Sequence, residues 1–186
     1  MWQLIYMNSL IERLEAYLSK NTTKDSYHWH GRSIIMPSGS GKSYFVEKQS
    51  EMVFLDADPI MWAVGAMPPP GKGKNLSGLS WDKDADEIMK RCDKVTRLLK
   101  QKNLWVMGAT WWNIKLVDAV VILPKELNKK YLDAKDDAFD DDYYEKELAP
   151  YIKNILRPDA KKNNVPIFNS IGKVVNHIKK ENNPYK

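Results

Sequence analysis

Lys42, Ser43, Asp56 and Asp58 are side chains whose types and spacing suit chemistry on a phosphate. A lysine ammonium can rest against phosphate oxygens, and a serine hydroxyl and a carboxylate can hold a hard divalent cation. A second carboxylate can orient an attacking hydroxyl or accept its proton. Lys42 and Ser43 close the run Pro37-Ser38-Gly39-Ser40-Gly41-Lys42-Ser43. Its glycines allow backbone N–H groups to turn inward around an anion. The pattern G-x-x-x-x-G-K-[ST] is met at Gly41, Lys42 and Ser43, with Met36 standing at its first position. That first glycine mainly serves the turn, and the phosphate-facing part from Ser38 through Ser43 is complete. The plain alternative is a Ser/Gly turn that happens to precede a lysine.

Such side chains need rigid elements to aim them. A short apolar run, about 32–36, leads into the loop as a buried strand, and Tyr44 to Lys48 continues from it as a helix whose positive end faces the anion. Met52-Val53-Phe54-Leu55 reads as a second, doubly covered strand ending in Asp56-Ala57-Asp58-Pro59. If the chain stays extended there, both carboxylates point to one side, at the sheet edge where ligands bind in parallel α/β folds. The competing reading is that Asp58-Pro59 caps a helix or opens a turn.

The rest of the chain alternates between strands and helices. Residues 1–20 have helical spacing in Leu10, Ile11, Leu14, Tyr17 and Leu18, and residues 1–31 form an extension before the first strand. Segment 60–81 is loop-rich around Pro68-Pro69-Pro70-Gly71-Lys72-Gly73-Lys74 and reads as a flap. A helix over 82–102 presents Ala85, Ile88, Met89, Cys92, Val95 and Leu99 on one face. Strands follow at 104–107, broken by Gly108, at 119–123, stopped by Pro124, and at 165–168. Helical segments span about 125–134, 143–156 and 172–180. This alternation predicts one α/β domain over 1–186, with three layers around a mostly parallel five-stranded sheet.

The chain has 186 residues, 43% hydrophobic and 28% charged, which is ample for a packed core. A single cysteine excludes an internal disulfide framework and fits a reducing compartment. No apolar run reaches the length of a membrane span, and Glu12, Arg13 and Glu15 interrupt any signal-peptide pattern. A cytoplasmic protein with no membrane partner is the expectation. Net charge is +5 and the pI about 9.1, which suits polyanionic partners such as nucleotides or nucleic acid.

The loop together with a strand ending in Asp-x-Asp resembles the P-loop kinases, among them the shikimate, gluconate, nucleotide and polynucleotide kinases. Pro-Ser-Gly-Ser-Gly-Lys-Ser is a familiar form of their phosphate loop. The order of elements over 32–180 matches theirs, while motif identity is confined to 37–43 and 56–58. The resemblance implies a P-loop NTPase fold, ATP and Mg²⁺ as cofactors, Ser43 and Asp56 as metal ligands, and Asp58 as the residue facing the acceptor. It also implies that Gly108 brings backbone close to the acceptor, that Arg157 lies near the adenine, and that 125–145 forms a lid. The lid cations are then Lys125, Lys129 and Lys130, a departure from the arginine-rich lids of nucleotide kinases.

Trp111 and Trp112, just after Gly108, are candidates to stack on a base, or else core residues under a loop. The lid lysines can equally be a solvated helix face. Arg157 can be an ordinary charge at a helix C-terminus. Asp136, Asp137, Asp140, Asp141 and Asp142 read as a solvated charge run, His28 and His30 as ordinary polar residues, and Cys92 as buried and inert. The function expected is an ATP-dependent phosphotransferase acting on a hydroxyl or phosphate of a nucleotide-like acceptor. The rivals are a kinase acting on nucleic acid itself, at a terminal hydroxyl or a hydroxymethylated base, and a nucleotide-binding protein without catalysis. The Lys- and Asn-rich composition suits an AT-rich genome, as in a phage or virus.

Overall fold

A computed structural model describes residues 12–16, 30–48, 54–68, 78–108, 113–134 and 142–181. Five strands form one sheet: β1 (Arg32–Ile35), β2 (Phe54–Asp56), β3 (Trp105–Gly108), β4 (Ala119–Val121) and β5 (Ile167–Phe168). They lie in the order β2-β3-β1-β4-β5 and every pairing is parallel. The sheet is thus wholly parallel rather than mostly so. The helices are α1 (Lys42–Lys48), α2 (Ala57–Ala63), α3 (Trp81–Gln101), α4 (Lys125–Asp133), a helical run α5 over 144–162, and α6 (Ile171–Glu181).

Alternation along the strands sorts side chains onto two covered faces, as a period of two requires. Ile34, Met36, Trp105, Met107, Ala119 and Val121 face one layer, against Phe45 and Val46 of α1 and Val174, Val175 and Ile178 of α6. Ile35, Val106 and Val120 face the other, against α2, α3 and α5. Leu14, in the helical stretch described at 12–16, is buried in this second layer, and the Arg13 guanidinium donates to the Val64 carbonyl at 3.3 Å. An edge-to-face series ties α1 to the sheet: Phe45 on Phe54 at 5.4 Å, then Phe54 on Trp105 at 5.2 Å.

The segment expected as a flap is core at its start. Residues 57–63 are helical, and Ile60, Met61, Val64, Ala66 and Met67 are buried. Asp56 explains the difference: its carboxylate accepts from the Asp58 N–H at 3.1 Å and caps the new helix, with Pro59 tolerated in the first turn. The Pro/Gly-rich centre, 69–77, lies outside the described residues. The helix expected to end at 156 instead continues to Lys162. It accommodates Pro150 and Pro158 by widening just before each: the Ala149 N–H reaches back to Tyr144 O and the Arg157 N–H to Ile152 O, five residues earlier.

At the opposite edge of the sheet, Asp118 gathers three donors. Its Oδ2 accepts from the Ser33 N–H and the Lys100 ammonium, both at 2.7 Å, and from the Ser33 hydroxyl at 3.3 Å. This fixes β1 to the approach of β4. Among the described residues no helix is long and apolar enough to cross a membrane.

Candidate phosphate-binding site

The sheet order puts β1 at the centre, with the chain leaving it toward β2 on one side and reaching β4 on the other only after β3. In open α/β sheets such a switch point, at the carboxyl ends of the strands, is where a crevice forms. The loop 37–43 springs from that end of β1. Met36 does not disturb it: its N–H bonds Gly108 O at 2.7 Å, extending the ladder, and its side chain is fully buried. The turn begins one residue later, so no glycine is required at 36.

Gly39 and Gly41 take φ values of +72° and +74°, a region open to glycine and strained for other residues. A Cβ at Gly39 would also lie 2.6 Å from Leu132 Cγ and 2.9 Å from Asn128 O. Helix α4 therefore packs directly on the back of the loop, and the Asn128 side-chain amide donates to Ser38 O at 3.0 Å. Between the two glycines, the Ser40 hydroxyl is buried and has no hydrogen-bond partner among the described residues. Residues 37–44 line a cavity of about 520 Å³ together with Asp58, Tyr131 and Ala134.

The four side chains singled out in the sequence meet here, with Lys42, Ser43 and Asp58 lining the cavity. The Lys42 ammonium donates to Asp56 Oδ1 at 3.0 Å and to Asp58 Oδ2 at 2.8 Å. The Ser43 hydroxyl donates to Asp56 Oδ2 at 2.6 Å. Burial alone would lower the Lys42 pKa, but the charges of Asp56 and Asp58 and their hydrogen bonds outweigh it and hold it above the ordinary lysine value. The cap expected of Asp58-Pro59 is supplied instead by Asp56, whose Oδ1 accepts from the Asp58 N–H while its Oδ2 receives Ser43.

This donor set suits Mg²⁺. Ser43 and Asp56 offer hard oxygens 2.6 Å apart, and a magnesium site of this kind keeps several waters and completes its shell with phosphates. No group of three or more His, Cys, Asp or Glu side chains able to hold a metal occurs among the described residues.

The other candidates are placed elsewhere. Gly108 ends β3, buried, with its carbonyl engaged by Met36. Trp111 and Trp112 lie outside the described residues. Lys125 and Lys129 pair with Glu145 at 2.6 and 3.7 Å, and neither they nor the exposed Lys130 line the cavity. Arg157 is inside α5 rather than at a helix end, and borders a separate hollow with Phe168, Asn169 and Lys173 beyond β5. Cys92 is buried, and desolvation first, then Asp93 and Asp58, pushes its thiol up to about 12.

Sequence reasoning missed Tyr44 and Tyr131, which line the cavity, and Asn128, which fastens α4 to the loop. Tyr44 carried a signal, since it follows the Lys-Ser pair directly; Asn128 carried none, because its role depends on where α4 docks. A second cleft of about 510 Å³ between α3 and α5 was also unanticipated. Asp86, Asp93, Asp159, Lys90, Asn113 and Tyr151 give it polar walls, and Ile35, Ile114 and Leu156 an apolar floor. No family model, curated protein or solved structure matches the chain.

Proposed function

We propose that the chain binds a nucleoside triphosphate with Mg²⁺ on the 37–43 loop and transfers its terminal phosphoryl group to a hydroxyl of a nucleotide-like small molecule. The observation that carries this reading is the Lys42 ammonium, held between Asp56 and Asp58 at the mouth of a loop with two left-handed glycines. One lysine between two carboxylates leaves a net negative charge beside the loop, so a polyanion needs a divalent cation to enter. Bound there, Mg²⁺ supplies charge neutralisation across the phosphates.

The chain's own part follows from one exchange of partners. Lys42 turns from the carboxylates to the phosphate oxygens, and the loop N–H groups and the Ser40 hydroxyl donate to the same anion. Asp58, released from the lysine, then orients the acceptor hydroxyl and takes its proton as the acceptor oxygen bonds to phosphorus. The bond from that phosphorus to the bridging oxygen breaks, and the diphosphate leaves. The cleft between α3 and α5 supports a small hydroxyl-bearing acceptor over a nucleic acid, because three carboxylates against one lysine repel a phosphate backbone. Ile35, at the end of β1 that leads into the loop, lines this cleft.

A binding protein without transfer is favoured by one observation: Lys125 and Lys129, the expected lid cations, are engaged by Glu145. Calorimetry with Mg-ATP, followed by product analysis over nucleosides, nucleotides, and single- and double-stranded DNA, separates these readings. Transfer to free nucleosides or nucleotides supports the proposal. Turnover only with polymer assigns the nucleic-acid kinase, and binding without any product assigns the inactive protein.

A further inference from the structure

The loop amides, Lys42 and Ser43 account for the phosphate end of a triphosphate, and the remaining cavity must take a sugar and a base. Apart from the loop and Asp58, its lining residues are Tyr44, Tyr131 and Ala134. We propose that Tyr131 and Tyr44 form an aromatic clamp for the base of the donor nucleotide; this rests on the reading of the loop as a triphosphate site.

Both residues are left in water, Tyr131 39% and Tyr44 67% exposed, although Leu132 beside Tyr131 is buried and Phe45 beside Tyr44 packs half-buried against the sheet. Folding alone gives no reason to expose two large aromatics beside one cavity, whereas a base offers each a π face. Their positions are fixed. Tyr131 Cε2 comes within 3.5 Å of where a Gly41 Cβ would sit, so the ring lies over the loop where that glycine carries no side chain. Helix α4, which carries the ring, is held by Asn128 on Ser38 O and by Leu132 against Gly39. Tyr44 adjoins Ser43 in α1, and the Lys48 ammonium lies 5.6 Å from its ring centroid, a cation–π contact that restrains it.

Stacking discriminates by the size of the π surface more than by edge groups, so the clamp favours purine nucleotides and separates adenine from guanine poorly. This differs from the stacking role expected of Trp111 and Trp112, because the tyrosines stand on the loop side and serve the donor.

The test compares calorimetric affinities of ATP and inorganic tripolyphosphate, both with Mg²⁺, for the full chain and for Tyr131→Ala, Tyr131→Phe and Tyr44→Ala. The clamp predicts that Tyr131→Ala weakens ATP on the order of tenfold, that Tyr131→Phe restores it, and that tripolyphosphate is unaffected. Tyr44→Ala is expected to behave as Tyr131→Ala does. Equal affinity of the unsubstituted chain for ATP and tripolyphosphate overturns the clamp while leaving the phosphate site standing. Equal weakening of both ligands by Tyr131→Ala also overturns it, since the ring then acts on the loop and not on a base. Failure of the unsubstituted chain to bind either ligand removes the triphosphate reading, and the clamp with it.

Discussion

Lys42 holds two carboxylates at once, and that contact dictates how single residues should respond. Lys42→Ala leaves Asp56 and Asp58 facing each other without their cation and is expected to abolish triphosphate binding, read by calorimetry. Asp58→Asn keeps a hydrogen-bonding side chain and should retain nucleotide binding while losing transfer. Because the pKa of Lys42 is raised, its ion pairs contribute stability below the ordinary lysine value, and the contribution fades as pH climbs through the raised one. Lys42 is therefore fully charged from about pH 6 to about pH 9, and no step in triphosphate affinity across that window should disappear in Lys42→Arg. Removing Mg²⁺ with a chelator should collapse affinity, since the phosphates then meet Asp58 unscreened. The two loop glycines should also differ. Gly39→Ala meets Leu132 and Asn128 and is expected to cost about 3 kcal/mol, while Gly41→Ala meets only Tyr131 at van der Waals distance and should cost about 1 kcal/mol, measured by denaturant unfolding.

At the scale of elements, much was legible because it rests on local pattern. Of the 82–102 face of Ala85, Ile88, Met89, Cys92, Val95 and Leu99, all but the exposed Met89 and the half-buried Ala85 are buried in α3, and the apolar runs at 119–123 and 104–107 supply β4 and β3. The misses came where tertiary context overrode local signals. The Pro/Gly run at 68–74 suggested loop over all of 60–81, but Asp56 caps a helix over 57–63 and its apolar residues join the core. The helical segment expected at 143–156 runs on to Lys162, because a wider turn just before Pro158 lets the helix continue. Helix α4, at the start of the 125–145 segment read as a lid, packs on the loop through Asn128, and two of the three lysines named for that lid, Lys125 and Lys129, meet Glu145. Asn128→Leu should loosen that docking and weaken triphosphate binding several-fold, while Glu145→Gln, at an exposed pair, should leave the melting temperature essentially unchanged.

For the molecule as a whole, the parallel sheet concentrates the candidate chemistry at one edge and its structural lock at the other. The lock was invisible in the sequence: Ser33, Lys100 and Asp118 lie far apart in the chain and match no motif, and only the close passage of β1, α3 and the approach to β4 brings them together. Asp118→Ala leaves the Ser33 N–H without its acceptor and the Lys100 ammonium without its counter-charge, though still bonded to Leu116 O, and is expected to cost about 1–3 kcal/mol with the phosphate edge intact, so nucleotide affinity should be unchanged in the folded fraction. The opposite edge was legible at the loop, since Lys42, Ser43, Asp56 and Asp58 stand in short stretches with strong local meaning. The cleft between α3 and α5 was not, because it is assembled from distant residues.

The measurement that bears most directly on this reading is phosphorus NMR of Mg-ATP incubated with the chain and a panel of nucleosides and nucleotides. Loss of the γ resonance should be matched by a new phosphomonoester on one acceptor, absent in Lys42→Ala and in Asp58→Asn. An unchanged γ resonance with every acceptor, in a chain shown to bind Mg-ATP, would contradict phosphoryl transfer.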